Sequence, residues 1–363
     1  MNPQDSTATR EYLKPPVTEV GVIGWVRQNL FNSLFNSILT LLALYGLYMT
    51  VPPLFKWAFV DSLWFSNAEA CRDIEGACWS IIPENARFIF FGFFPEDQQW
   101  RSFTAMILLF SLVFYTQSRR NWNRALFPIW TCGLVVMGWL MHGGLGLPVV
   151  ETSKWSGLPL TLMLSLFGMV GAYPLGILLA LGRRSKLPAI KSLCVIYIEL
   201  IRGVPLISML FMSSIMFPLF LPEGINIDKV LRAQVAIILF TAAYIAEVVR
   251  GGLQAIPKGQ YEAADSLGLN YSQAMRKVIL PQALKIVIPP TVGILISAFK
   301  DTSLVVIIAL YDVLKTTKVT LSNPQWMGFS SEAYLSLALL YFIFCYAMSS
   351  YSRKLEKALH TGH

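Results

Sequence analysis

Charge is scarce in this sequence: 14% of the 363 residues are Asp, Glu, Lys or Arg, against roughly 25% in an ordinary soluble domain. Hydrophobic residues make up 55% of it. A soluble chain of this length could not hide so much apolar side chain and keep enough polar surface to stay dissolved. Histidine is scarcer still, with three in the chain. His142 ends an apolar segment, while His360 and His363 stand among the last residues, too sparse a set for a metal site. No Gly-x-x-x-x-Gly-Lys-Ser/Thr run is present, so the chain carries no phosphate loop of its own. No His, Asp or Glu cluster sits within the apolar segments, as a membrane-embedded enzyme would require. Neither a catalytic residue nor a cofactor is expected in this chain.

What the sequence does have is length of apolar run. A bilayer core about 30 Å thick needs about 20 apolar residues per helix, and that length recurs. Eight spans are expected: Ser33–Leu54, Ser102–Thr116, Leu126–His142, Leu158–Leu181, Leu193–Phe217, Ala233–Val249, Ile286–Ala298 and Tyr334–Tyr351. The segment Ser303–Leu310 reads as a short extra helix or a re-entrant piece. The fold class is therefore an all-α integral membrane protein, with lipid as the solvent for most of the chain.

The net charge is +8, but its distribution argues against nucleic acid. The basic residues form short clusters just beyond apolar segments: Arg119, Arg120 and Arg124; Arg183, Arg184 and Lys186; Arg353, Lys354 and Lys357. That pattern orients helices in a membrane. The loops after the second, fourth and sixth spans are basic, whereas the loop 56–101 carries Asp61, Glu69, Asp73, Glu75, Glu84, Glu96 and Asp97. Positive residues inside, and an even number of spans, both place the two termini in the cytoplasm. The polar residues 1–32 show no signal-peptide pattern and read as a cytoplasmic tail, disordered to about Pro16. Cys132, Cys194 and Cys345 fall within spans as small apolar residues. Cys71 and Cys78 fall in the acidic loop, where an oxidising periplasm permits either a disulfide or two free thiols.

The chain changes character near Trp155. Residues 33–155 hold three spans and the loop 56–101, too long for a mere connection. Its aromatic run Phe88–Phe94 suggests an interfacial helix or hairpin. Residues 156–352 hold five spans and nearly all the motif-like residues, and 353–363 form a cytoplasmic tail. The reading is an accessory front part followed by a functional core.

The most informative stretch is the cytoplasmic loop 251–281, which reads as two short amphipathic helices. Tyr261–Leu267 forms the first, with Glu262 and Asp265 placed early, where carboxylates favour a helix N-terminus. Gly268 can end it in a left-handed conformation, Asn270 or Ser272 can cap the second, and Pro281 ends or kinks that one. A connection needs far less structure; this has the shape of a docking element.

Glu262-Ala263-Ala264, three residues, Gly268, nine residues, then Val278-Ile279-Leu280-Pro281 resembles the EAA signature of ABC importer permeases, with valine at 278 where the family usually has isoleucine. Glu199 to Pro205, Ala243 to Gly252 and Lys300 to Leu304 are similar to the polar amino-acid branch, which includes histidine, glutamine and general L-amino-acid importers. The three leading spans resemble the longer permease subunit of a general L-amino-acid importer. The resemblance implies a type I ABC importer transmembrane fold in the bacterial inner membrane. It implies alternating access driven by a cytosolic ABC ATPase dimer, with ATP-Mg bound on that partner. It also implies a second permease subunit, with a heterodimer favoured over a homodimer, and a periplasmic amino-acid-binding protein. In that scheme Glu262 makes polar contacts to the ATPase and Ala263 and Ala264 permit close approach. Gly268 supplies the turn, and Leu280 and Pro281 close the motif.

Charges at membrane depth need a reason, because each costs about 2.5–3.5 kcal/mol on insertion scales. Glu199 and Arg202 share a helical face and can pair, while Gly203 and Pro205 break the helix and free carbonyls. This is either a substrate path or a stiffening ion pair. Lys300 and Asp301 are adjacent and point apart, so they can receive the two charges of a zwitterionic amino acid or pair with other spans. Glu247 and Arg250 suggest a snorkelling or helix-end pair. The rival class is an ion channel or membrane receptor with a cytoplasmic docking loop.

Overall fold

A computed structural model describes residues 21–360; the tail expected through Pro16, and His363, lie outside the described residues. Every long apolar run forms a helix, as it must where lipid offers the backbone no hydrogen bonds. The contacts divide the chain into two units, 1–79 and 80–363.

In the first unit, α1 (Gly21–Leu30) occupies part of the expected tail and exposes Val22, Ile23 and Trp25. Ser33 caps α2 (Leu34–Phe55) by accepting from the Asn36 amide at 3.2 Å. No residue of α2 is buried, and it is apolar all round, the surface of a helix meant for lipid. It continues through Pro52 and Pro53 into a π turn at Lys56–Val60. Beyond that turn, Cys71 and Cys78 form a disulfide. Trp79 donates its indole N–H to the Ala58 carbonyl at 2.7 Å, and a side chain at Gly76 would overlap the Asp61 carbonyl.

The second unit opens with α3 (Ile81–Phe91), which takes in the first part of the aromatic run Phe88–Phe94, then α4 (Gln99–Gln117) and α5 (Leu126–His142). Next come α6 (Gly157–Arg183), α7 (Pro188–Gly203), α8 (Leu206–Phe211) and α9 (Lys229–Ala255). After them follow α10 (Lys258–Ser266), α11 (Tyr271–Ala274), α12 (Leu280–Ile286), α13 (Ile288–Asp301), α14 (Val313–Leu321) and α15 (Ser330–His360). Its axis is the α6–α9 pair. Gln234 donates to the Leu164 carbonyl at 3.2 Å at one end of the pair. Further along, a Cβ on Gly168 or Gly176 would come within 2.9 and 2.6 Å of the Ile237 and Ile245 side chains. Small residues that let backbones approach supply the packing which the hydrophobic effect cannot supply in lipid.

Two expectations about spans change. Among the described residues five helices are long and apolar enough to cross a membrane, or six if a bent pair counts as one. Gln99–Gln117 is not among them, and Leu126–His142 is shorter. The fifth expected span is not one straight helix: α7 and the segment Leu206–Phe220 meet at 103° across Val204 and Pro205. Proline lacks the N–H to continue the ladder, so the break falls at its residue. Pro281 sits in the first turn of α12, directly after the π turn Met275–Ile279 that interrupts the run begun by α11, and α12 stops at Ile286. Thr302–Ile308 continues α13 as a 3-10 turn.

Nor do the contacts divide at Trp155. Leu109, Met137, Leu140, Leu158 and Leu162 share one buried cluster, and Thr316 donates to the Ile89 carbonyl at 2.8 Å. Arg101, fully buried in α4, donates to the carbonyls of Leu140 and Pro148 at 2.8 Å each and caps the end of α5. Residues 80–155 thus belong to the body that contains the core helices.

Candidate functional site

The loop after α9 is a rigid two-helix element. At the end of α10, Gly268 has φ +69°, its N–H bonds the Asp265 carbonyl at 2.9 Å and the Leu269 N–H bonds the Ala264 carbonyl at 3.2 Å. This pair of bonds satisfies carbonyls that the helix end would otherwise orphan. Asn270 then caps α11: its side chain accepts from the Gln273 amide at 2.9 Å, and Gln273 accepts from the Asn270 amide at 3.1 Å. Gln282 of α12 donates to Gln260 of α10 at 2.9 Å and ties the two arms together.

One face of this element is bound to the helix bundle. Ala264, Ala274, Met275, Ile279 and Ala283 are buried, the last three in a cluster with Leu253 and Ile256 of the α9 end. Arg184 at the end of α6 donates to the Leu253 carbonyl and to the Tyr261 hydroxyl, each at 3.0 Å, and lies over the Tyr261 ring. The other face is free: Glu262, Ala263, Asp265 and Pro281 are exposed, with Leu267 78% and Tyr271 65% accessible. Leu280 is half-buried. Ala264 is 2% exposed and so packs within the chain itself, which leaves Ala263 of the pair on the free face. Sequence reasoning passed over Leu267 and Tyr271, whose signal was two apolar residues at a polar turn.

Beside this loop the ends of α6, α7 and α9 converge on Glu247. Arg183 reaches Glu247 at 3.2 Å and Glu199 at 2.9 Å; Arg202 stands 3.9 Å from Glu247, and Arg250 pairs with it one turn along α9. The expected Glu199–Arg202 pair within α7 is not formed. Both side chains turn across to other helices instead, where Arg183 and Glu247 offer partners with more burial and less competition from water. Three guanidinium groups and two carboxylates leave this cluster with one excess positive charge. In the sequence Arg183 stands only as part of the basic cluster after the fourth span, and nothing in its spacing places it beside Glu199 and Glu247.

Between α9 and α13 lies a cavity of about 490 Å³, lined by Phe240, Thr241 and Tyr244 on one side and by Gly293, Ser297 and Asp301 on the other. The Arg202 guanidinium stands 5.7 Å from the centre of the Tyr244 ring, which joins the charged cluster to the cavity wall. Asp301 faces this space, whereas the adjacent Lys300 is exposed and does not line it. The two charges point apart, so they do not flank one cavity.

Residues 172–361 match the family described as binding-protein-dependent transport system inner membrane component. The chain is 48% identical, across 93% of both chains, to the inner membrane amino-acid ABC transporter permease protein YhdY of Escherichia coli. It is 38% identical, across 96% of both, to the glutamate/glutamine/aspartate/asparagine transport system permease protein BztC of Rhodobacter capsulatus. A crystal structure of an amino acid ABC transporter with histidines superposes on 56% of this chain and 92% of that one, at 32% identity and a TM-score of 0.50.

Proposed function

The chain belongs to the binding-protein-dependent transport system inner membrane components, as the permease subunit of an ABC amino-acid importer, and we propose a division of labour among its parts. Polar L-amino acids pass beside the α9–α13 cavity, and separate ATPase subunits dock on the exposed face of the 251–281 loop. Alternating access follows because the loop is fastened to α6, α9 and α12, and packed helices move as bodies in hinge or shear motions. A force applied at Glu262, Leu267 and Tyr271 is then carried into the helices that wall the cavity. The observation that carries this reading is the rigid capped loop with one face bound and one face free.

Asp301 offers a carboxylate to the substrate ammonium group, and the excess positive charge around Arg202 offers a counterpart to its carboxylate. Selectivity is shared with a periplasmic amino-acid-binding protein, and the partner permease is a related, different subunit. The relatives named for dicarboxylic and amide amino acids support polar cargo. The test is uptake of labelled L-glutamate in cells lacking the chain and in cells given it back. Unlabelled polar amino acids should compete and L-leucine should not; uptake that survives loss of the ATPase would favour the channel reading instead.

A further inference from the structure

The C-terminal end of α15 and the turn after α4 enclose a second cavity, of about 270 Å³, lined by Gln117, Trp122, Tyr351, Lys354, Leu355 and Ala358. It sits at the end of Ser330–Ala358, a helix long and apolar enough to cross a membrane, and so at the level where hydrocarbon gives way to headgroups. Its walls are chemically mixed, with aliphatic and aromatic side chains beside the amide of Gln117 and the cationic side chain of Lys354.

The surrounding sequence is one-sided. Residues 117–125 and 351–358 contain Arg119, Arg120, Arg124, Arg353, Lys354 and Lys357 against a single acidic residue, Glu356. Arg120, Arg124, Lys354 and Lys357 make no ion pair among the described residues. The end of α4 carries a partial negative charge that would oppose an anion, and side chains cover part of it. The carbonyls of Tyr115 and Thr116, at the negative end of α4, are already occupied by the side chains of Asn121 and Trp122 at 2.8 Å each. Trp122 is fixed by that bond and 42% accessible, and Arg120 and Arg124 stand two positions to either side of it.

We propose that this cleft binds the phosphate headgroup of an anionic phospholipid, with Lys354 on the phosphate, the neighbouring basic residues adding to the local positive potential, and acyl chains running down from Trp122 and Tyr351 along the apolar surface. A basic pocket between membrane helices has the chemistry for such headgroups, and each cation near an anionic lipid surface gives about a fivefold preference. The cluster that orients the helices then also holds a lipid at a defined place. Nothing in this depends on which solute the chain transports.

The experiment is native mass spectrometry of the purified complex with phosphatidylglycerol and phosphatidylcholine in competition. The wild-type complex should retain phosphatidylglycerol preferentially, and inorganic phosphate should not displace it. Lys354→Gln should lower the preference by about fivefold, while Lys354→Arg keeps it. Melting in phosphatidylcholine checks that each variant is folded. An undiminished preference in folded Lys354→Gln overturns the site. Displacement by inorganic phosphate overturns the lipid assignment in favour of a soluble anion. Either failure with normal amino-acid uptake separates this proposal from the transport reading.

Discussion

Arg183, the last residue of α6, holds Glu247 of α9 at 3.2 Å, and the same guanidinium holds Glu199 of α7 at 2.9 Å. One side chain thus joins three helices at the end of the bundle that also carries the loop. Glu247 is the harder residue to lose. Its removal leaves Arg183, Arg202 and Arg250 facing one another with only the half-exposed Glu199 to offset them. Glu247→Gln should cost about 2 kcal/mol of stability, below the 3–5 typical of a fully buried pair because these groups keep some water. Arg183→Gln combined with it should cost less than the sum of the two single variants, and thermal melting of all three proteins measures that coupling.

Gly268 has φ +69°, and a Cβ there would meet nothing within 4 Å. The cost of substitution is therefore conformational rather than a clash, about 1–2 kcal/mol for a β-branched residue. Gly268→Val should weaken the hold of the ATPase on the complex, and Gly268→Asn, which tolerates the left-handed region, should restore it. Co-purification of the ATPase with each variant checks this ordering.

Asp301 and Lys300 separate the substrate reading from a structural one. Asp301→Asn should leave melting of the empty complex nearly unchanged while lowering uptake several-fold, since its partner is present only with substrate. Lys300→Gln should change uptake little, because Lys300 does not line the cavity. A large loss of stability in Asp301→Asn without substrate would make that carboxylate a structural partner instead.

Asp312 supplies the pH dependence. It caps α14 by accepting from the Lys315 amide at 3.0 Å, while its second oxygen is buried with no hydrogen-bond partner among the described residues. Burial is the main cause of its carboxyl pKa being pushed up to about 6. The unfolded value is near 3.9, so the folded chain binds the extra proton between the two. Stability should be full below pH 4, fall by about 3 kcal/mol as pH rises through 4 to 6, and stay flat above. Asp312→Asn keeps the cap and should flatten that profile in a melting series from pH 4 to pH 8.

Much of the architecture was legible because lipid enforces it: an apolar run long enough to span has no alternative to a helix. The loop was legible from punctuation, since Gly268 and Asn270 have the local chemistry their backbone positions require. Chain direction across the bundle was not legible. Spacing put Glu199 beside Arg202 on one helix, but the break at Pro205 and the end of α6 decide which guanidinium each carboxylate meets. Lys300 and Asp301 show the same limit: adjacency tells that two side chains diverge, and only packing tells which one faces the cavity. The expected boundary at Trp155 rested on a change of character along the chain, whereas contacts such as Thr316 with Ile89 join residues more than 200 apart.

The central claim is that ATP energy enters through the free face of the loop, and ATP-dependent uptake of labelled L-glutamate into proteoliposomes tests it most directly. The vesicles would hold the complete complex with its binding protein, carrying either wild-type chain or Leu267→Asp with Glu262→Lys. Both positions are exposed, so the variant should insert and melt as the wild type does. The account predicts that uptake and substrate-stimulated ATP hydrolysis fall together, by tenfold or more for a loss of about 1.4 kcal/mol or greater in docking. Wild-type uptake by a fully inserted variant would contradict it.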